Sequence, residues 1–138
     1  MTERLDSKAS SADPTPKARK VVVIDDSEIV LDLTRAALER DGIAVVTCNS
    51  PIGSTLVVAR EKPDLVLVDV DMASMSGERV VTGIKSGPRT SKVAVFFYSD
   101  RSATELETLT RASGADGYIR KNGDSRALVR QVRQAFTR

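Results

Sequence analysis

The segment Pro63-Asp64-Leu65-Val66-Leu67-Val68-Asp69-Val70-Asp71-Met72 decides the fold. Leu65 to Val68 is an unbroken apolar run rich in β-branched residues. A run that is apolar on both faces reads as a central strand of a parallel sheet. Pro63 stops whatever precedes it. Asp69 ends the run at a point where a buried strand has no use for a charge. A carboxylate at the carboxyl end of a central parallel strand points into the crevice where α/β folds bind their ligands. Taken alone, the same residue reads equally well as the strand's exit into solvent or as a turn cap.

Working outward, four more apolar runs share this design. Lys20 to Ile24 ends in Asp25-Asp26, with Ser27 at an N-cap position, and Ile29 to Arg40 reads as a helix closed by Asp41-Gly42. Val30, Leu33, Ala37 and Leu38 fall on one face of it. Ile43 to Cys48 reads as a strand, and Pro51 to Glu61 as a weaker helix with Pro51 at its start. Gly77 to Lys85 is the next helix, broken by Ser86-Gly87-Pro88. Val93 to Tyr98 is a strand running into Ser99-Asp100, and Ala103 to Ala112 a helix. Gly117-Tyr118-Ile119 is a short strand ending at Arg120-Lys121. Asp124 to Phe136 is the last helix, capped by Asp124 or Ser125. Five strands alternating with five helices mean a parallel sheet with right-handed crossovers and helices on both faces.

Composition narrows the chemistry. The chain has 138 residues, with 41% hydrophobic and 29% charged, which suits a single globular domain. A formal net charge of +2 gives no general case for a polyanion partner. No apolar run has the length of a membrane span and no secretory leader is visible, so a cytoplasmic protein without membrane contact is expected. The single cysteine, Cys48, excludes an internal disulfide and reads as core packing. With no histidine, a His-based triad or a His-ligated zinc is impossible. Met1 to Ala18 is polar, carries Pro14 and Pro16, and reads as a flexible tail, which leaves 19–138 as the folded domain.

In a parallel sheet every strand's carboxyl end lies on one edge. Asp25, Asp26, Asp69, Ser99 and Lys121 all directly follow strands, so they gather on that rim whatever the strand order. Three crowded carboxylates repel unless a cation joins them. Oxygen donors without His or Cys select a hard divalent ion, most readily Mg2+. A carboxylate beside such an ion and an ammonium is equipped to attack phosphorus and form an acyl phosphate.

These motifs, Val23-Ile24-Asp25-Asp26-Ser27, Pro63 to Asp69, Gly77, Phe97-Tyr98-Ser99 and Gly114 to Lys121, resemble the receiver domains of two-component response regulators from about residue 19 onward. The resemblance implies a flavodoxin-like, doubly wound (βα)5 fold with strand order 2-1-3-4-5. It implies Asp69 as phosphoacceptor and metal ligand, Asp26 as direct Mg2+ ligand, Asp25 as a ligand through water, and the backbone carbonyl of Asp71 as a further ligand. Ser99 would hydrogen-bond the phosphoryl group, Lys121 would pair with it, and Ser99 with the aromatic Tyr118 would form the switch. It further implies a sensor histidine kinase or phosphotransfer protein as donor. The output would be a protein contact through the fourth helix, fifth strand and fifth helix. Such a domain signals and is not an enzyme in the ordinary sense, and no output or nucleic-acid-binding module is visible in the sequence.

Several positions depart from the family. Asn122 follows Lys121 where proline in a cis peptide is usual. Because a cis bond before a non-proline residue costs roughly 2.5–4 kcal/mol, a trans peptide is expected. Ala73 replaces another common proline, Asp100 adds charge near the entrance, and Asp71 adds a carboxylate that would tighten metal binding. Arg126, Arg130 and Arg133 line one side of the last helix and read as a solvated face or a contact for an acidic partner. Two other functions fit part of the pattern. Asp69-Val70-Asp71 is similar to the nucleophile motif of haloacid-dehalogenase-type phosphatases, although their acidic metal pair comes late in the chain and Asp25-Asp26 comes early. A receiver-like scaffold that binds partners without phosphorylation is the other.

Overall fold

The computed structural model describes residues 18–137; the tail expected over residues 1–18 lies, but for Ala18, outside them. The elements, in chain order, are β1 (Lys20–Ile24), α1 (Glu28–Arg40), β2 (Ala44–Cys48), α2 (Ser54–Glu61), β3 (Leu65–Val68), α3 (Gly77–Ser86), β4 (Val95–Ser99), α4 (Ala103–Ser113), β5 (Gly117–Arg120) and α5 (Ser125–Phe136). All four strand pairings are parallel, and the sheet order is β2-β1-β3-β4-β5. The order reverses between β1 and β3, which makes that junction the topological switch point of the sheet.

Alternation along the buried strands builds two cores. Val21 and Val23 of β1 with Leu65 and Leu67 of β3 face α1 and α5, meeting Leu38 and Val132. Val22, Ile24, Val66 and Val68 face α2, α3 and α4, meeting Val58, Ile84 and Leu106. Every residue of β3 is fully buried, as its unbroken apolar run demands. Four of the five described helices start where side chains can satisfy their first amides: Ser27, Ser76 and Asp124 each accept a backbone N–H, and Ser102 with Glu105 forms a reciprocal capping box.

Three local expectations are corrected. The second helix begins at Ser54, not Pro51, because the Pro51 carbonyl accepts the Ser54 amide and hydroxyl and Gly53 sits at φ 81°, a turn that no helix passes through. In α1 the buried face is Leu31, Thr34, Ala37 and Leu38; Val30 is half-buried and Leu33 is 67% exposed. The helix is rotated by about one position because the polar Thr34 takes the place expected of Leu33. The fourth strand spans Val95–Ser99 and the fifth reaches Arg120, since ladder pairing extends to Ser99 opposite Arg120. No cis peptide occurs among the described residues, so Lys121–Asn122 is trans. No described helix is long and apolar enough to cross a membrane.

Candidate functional site

Strand register assembles the site. Ile24 pairs with Val68, so Asp25 and Asp69, one residue further, leave the sheet side by side. Their backbones are pinned: the Asp69 amide donates to the Ile24 carbonyl at 3.0 Å and the Asp25 amide to the Cys48 carbonyl at 3.1 Å. On the other flank the Lys121 amide donates to the Ser99 carbonyl at 2.8 Å. Backbone pairing therefore brings these chain-distant groups to one rim.

One carboxylate oxygen from each of Asp25, Asp26 and Asp69 lies within 4.8 Å of the others. Asp25 and Asp69 are buried and Asp26 is exposed. The Lys121 ammonium donates to Asp25 Oδ2 at 2.7 Å and to Asp69 Oδ1 at 3.3 Å. Asp25 also accepts the Ser27 amide at 2.9 Å. Asp26 Oδ2 accepts the Ala73 amide at 2.9 Å, which draws the loop carrying Asp71 against the cluster. The donor set is oxygen only, open on the Asp26 side, and fits a hard divalent ion.

Electrostatics follow from this crowding. Burial pushes the Asp69 carboxyl above its ordinary range; Lys121 opposes the shift, and the Asp25 and Asp71 charges reinforce it. Lys121 leans to Asp25, so it cannot offset the whole cost of ionising Asp69. Burial alone would lower the Lys121 ammonium, but the hydrogen bond and charge of Asp25, then those of Asp69, hold it above its usual value.

Ser99 is fully buried, and its hydroxyl accepts the Arg101 amide at 3.1 Å. Tyr118 is not brought to the cluster: its phenol donates to Glu107 Oε2 at 3.2 Å, on the α4 side. The Asp71 carboxylate does not reinforce the metal cluster as expected. Arg101 grips it through two bonds, Nε to Oδ2 at 3.1 Å and Nη2 to Oδ1 at 2.6 Å, which holds its pKa below the usual carboxylate value. Arg133 is likewise committed, to Asp41, and so is not a free member of an arginine face. Cys48 is half-buried against the α2–α4 core, and burial raises its thiol pKa.

Two features were not readable as site elements. Gly77 stands where a Cβ would collide with the Asp69 carbonyl oxygen and lie 2.9 Å from Val70 Cα, so the start of α3 rests directly on the backbone of the acceptor. Tyr98, inside a strand that reads as core, places its ring centroid 5.4 Å from the Lys121 ammonium. Both stand in the motifs that carry the resemblance, Gly77 by itself and Tyr98 within Phe97-Tyr98-Ser99, but neither motif gives them a role.

A family model described as the response regulator receiver domain matches residues 21–133. The chain belongs to the response regulator receiver domain family. Receiver domains bind Mg2+ at an acidic pocket and take part in two-component signalling; the fold is a signalling domain. Transcriptional regulatory protein CseB of Streptomyces coelicolor is 29% identical over 118 residues, covering 86% of this chain and 49% of the relative. KdpE of Mycobacterium tuberculosis, of the same description, is 30% identical over 118 residues, covering 86% and 51%. The receiver domain thus spans about half the length of these curated relatives. Among solved structures, chemotaxis protein CheY4 of Vibrio cholerae superposes with a TM-score of 0.80 at 19% identity, over 86% of this chain and 99% of that one. A putative response regulator from Chloroflexus aurantiacus gives 0.81 at 19% identity, over 88% and 100%. At such identities the likeness shows the fold, the CheY-like flavodoxin arrangement with order 2-1-3-4-5.

Proposed function

We propose that this receiver domain accepts a phosphoryl group on Asp69 from a phosphohistidine of a sensor histidine kinase or phosphotransfer protein, with Mg2+ as the required ion. The observation that carries this reading is the convergence of a buried Asp69, the Lys121 ammonium 3.3 Å away, and two further carboxylates within 4.8 Å. An Asp69 carboxylate oxygen attacks phosphorus as the phosphorus–nitrogen bond to the donor imidazole breaks, leaving an acyl phosphate. Lys121 faces the phosphoryl oxygens and offsets their charge. Ser99 turns from the Arg101 amide to donate its hydroxyl to the new group. Asp26 and Asp25, with the Asp71 carbonyl, would hold the ion, which when bound supplies positive charge opposite Lys121. Output leaves as a protein contact through α4, β5 and α5, where Tyr118 and Glu107 pair; the longer transcriptional regulators leave room for other routes in a longer protein.

Incubation with acetyl phosphate and Mg2+, followed by intact-protein mass spectrometry, tests the reading. One added phosphoryl group per chain is expected. No gain would favour the phosphorylation-independent scaffold, and many turnovers on phosphomonoesters would favour the phosphatase. A second expectation concerns the ion alone. Mg2+ at a hundredfold excess over its Kd should stabilise the fold by about 2.7 kcal/mol. For a domain of this size that is roughly 10 °C in Tm. Differential scanning fluorimetry should show the shift in wild type and its loss in Asp26→Asn; an equal shift in both would place the ion elsewhere.

A further inference from the structure

We infer that Tyr98 is a positioning residue for Lys121, holding the ammonium over its ring. This rests on the reading of Lys121 as the partner of the phosphoryl group.

The need for such a residue follows from the loop behind the lysine. Asn122, Gly123 and Asp124 are all exposed, and the Lys121–Asn122 peptide is an ordinary trans bond. Lysine is a point charge on a flexible stem, so the backbone bond of Lys121 to Ser99 fixes where the stem starts but not where the ammonium stands. What fixes the ammonium comes from across the rim. On one side are the Asp25 and Asp69 carboxylates, at 2.7 and 3.3 Å. On the other is the Tyr98 ring, with its centroid 5.4 Å from Nζ, inside the range where a cation is drawn to an aromatic face.

The ring is itself held. Tyr98 packs against the core under α1 and α5, which include Leu38 and Leu128. The two carboxylates are also the groups whose charge is claimed when a divalent ion and a phosphoryl group enter the site. The aromatic contact is uncharged and stays available through those changes. It therefore sets where the ammonium stands when the phosphoryl group arrives.

The test measures phosphorylation by acetyl phosphate at saturating Mg2+, together with the Kd for Mg2+ by calorimetry. Tyr98→Leu should slow phosphorylation about tenfold, the scale of a partly desolvated cation–ring contact, with the Mg2+ Kd within about twofold of wild type. Tyr98→Phe keeps the ring and should phosphorylate within about twofold of wild type. A folded Tyr98→Leu protein that phosphorylates at the wild-type rate overturns the inference. So does one whose Mg2+ affinity falls in parallel with the rate. If Tyr98→Leu does not fold, Tyr98→Phe decides: a rate near wild type supports the inference, and a tenfold loss with the ring still present overturns it. If wild type takes up no phosphoryl group, the proposed function fails and the positioning contact is read directly by NMR. The Lys121 ε-methylene should carry a ring-current shift that Tyr98→Phe keeps, and its absence in wild type overturns the contact.

Discussion

Asp69→Asn is expected to abolish phosphoryl uptake outright and, in the same protein, to raise the thermal midpoint at pH 7. The first half follows from chemistry. An amide oxygen of the same shape does not yield a stable acyl phosphate. Asp25, the other buried carboxylate, has its two oxygens committed to the Ser27 amide and to Lys121. The second half follows from the cost of keeping Asp69 ionised. Its folded pKa is raised, chiefly by burial, above the ordinary value. Above that raised value the folded state carries a carboxylate that it holds less favourably than the unfolded chain does. Wild-type stability therefore falls as pH rises from the ordinary carboxylate range through the raised one, and stays reduced above it. Asp69→Asn removes that slope. The stabilisation should be full above the raised value and shrink toward zero below about pH 4, near the ordinary aspartate value. Lys121 keeps its shorter bond to Asp25, at 2.7 Å, so the substitution strands no cation. Mass spectrometry after acetyl phosphate treatment and thermal unfolding across pH in Mg2+-free buffer check the two halves. Residual phosphorylation would move the acceptor elsewhere, and a lower midpoint at pH 7 would refute the electrostatic account.

The second large effect is expected at Gly77. An alanine Cβ there would overlap the Asp69 carbonyl oxygen and press on Val70 Cα at 2.9 Å. Both obstacles are backbone, and the Gly77 amide is already bonded to the Val70 carbonyl at 2.9 Å. No side chain can swing aside, so either α3 lifts or the end of β3 shifts. Overpacking against rigid neighbours costs typically 1–3 kcal/mol and sometimes more, and Gly77→Ala should lose about 3 kcal/mol. Gly83, in the same helix, is the control. The nearest atom to a Cβ there is Thr55 Oγ1 at 3.7 Å. Gly83→Ala should be neutral or stabilise by up to about 1 kcal/mol through helix propensity. Urea unfolding of the two variants measures the contrast; equal stabilities would mean that α3 yields without cost. Because the Gly77 strain falls on the backbone of residue 69, phosphorylation should drop more steeply than the loss of folded protein.

How much of this could be read beforehand depends on what each feature rests on. Strands whose residues are buried on both faces announce themselves as unbroken apolar runs, as Lys20–Ile24 and Leu65–Val68 did, and as Val93 to Tyr98 did for a strand that spans Val95–Ser99. Parallel order then forces their terminal polar residues onto one edge, so the gathering of Asp25, Asp26, Asp69 and Lys121 was legible. Side-chain pairings between segments were not. Nothing local in the sequence connects Arg101 to Asp71 or Tyr98 to Lys121, because each pairing depends on how two loops or layers settle against each other. Helix rotation was missed for the same reason. Leu33 looks like the core residue of α1, but the helix turns Thr34 inward and leaves Leu33 exposed. The start of α2 was misplaced because proline suits both a first helical turn and the irregular turn that Gly53 completes.

The bond between Arg101 and Asp71 changes what an incoming donor senses on its final approach. A phosphoryl donor is an anion, and repulsion from a cluster of aspartates would slow its diffusion into the mouth. With Asp71 held by a guanidinium, that wall of the entrance is close to neutral, and Asp26 and Asp100 are left as the exposed acids of the rim. Encounter with anionic donors should therefore vary only gently with ionic strength, and most of the repulsion should disappear once a divalent ion has been captured.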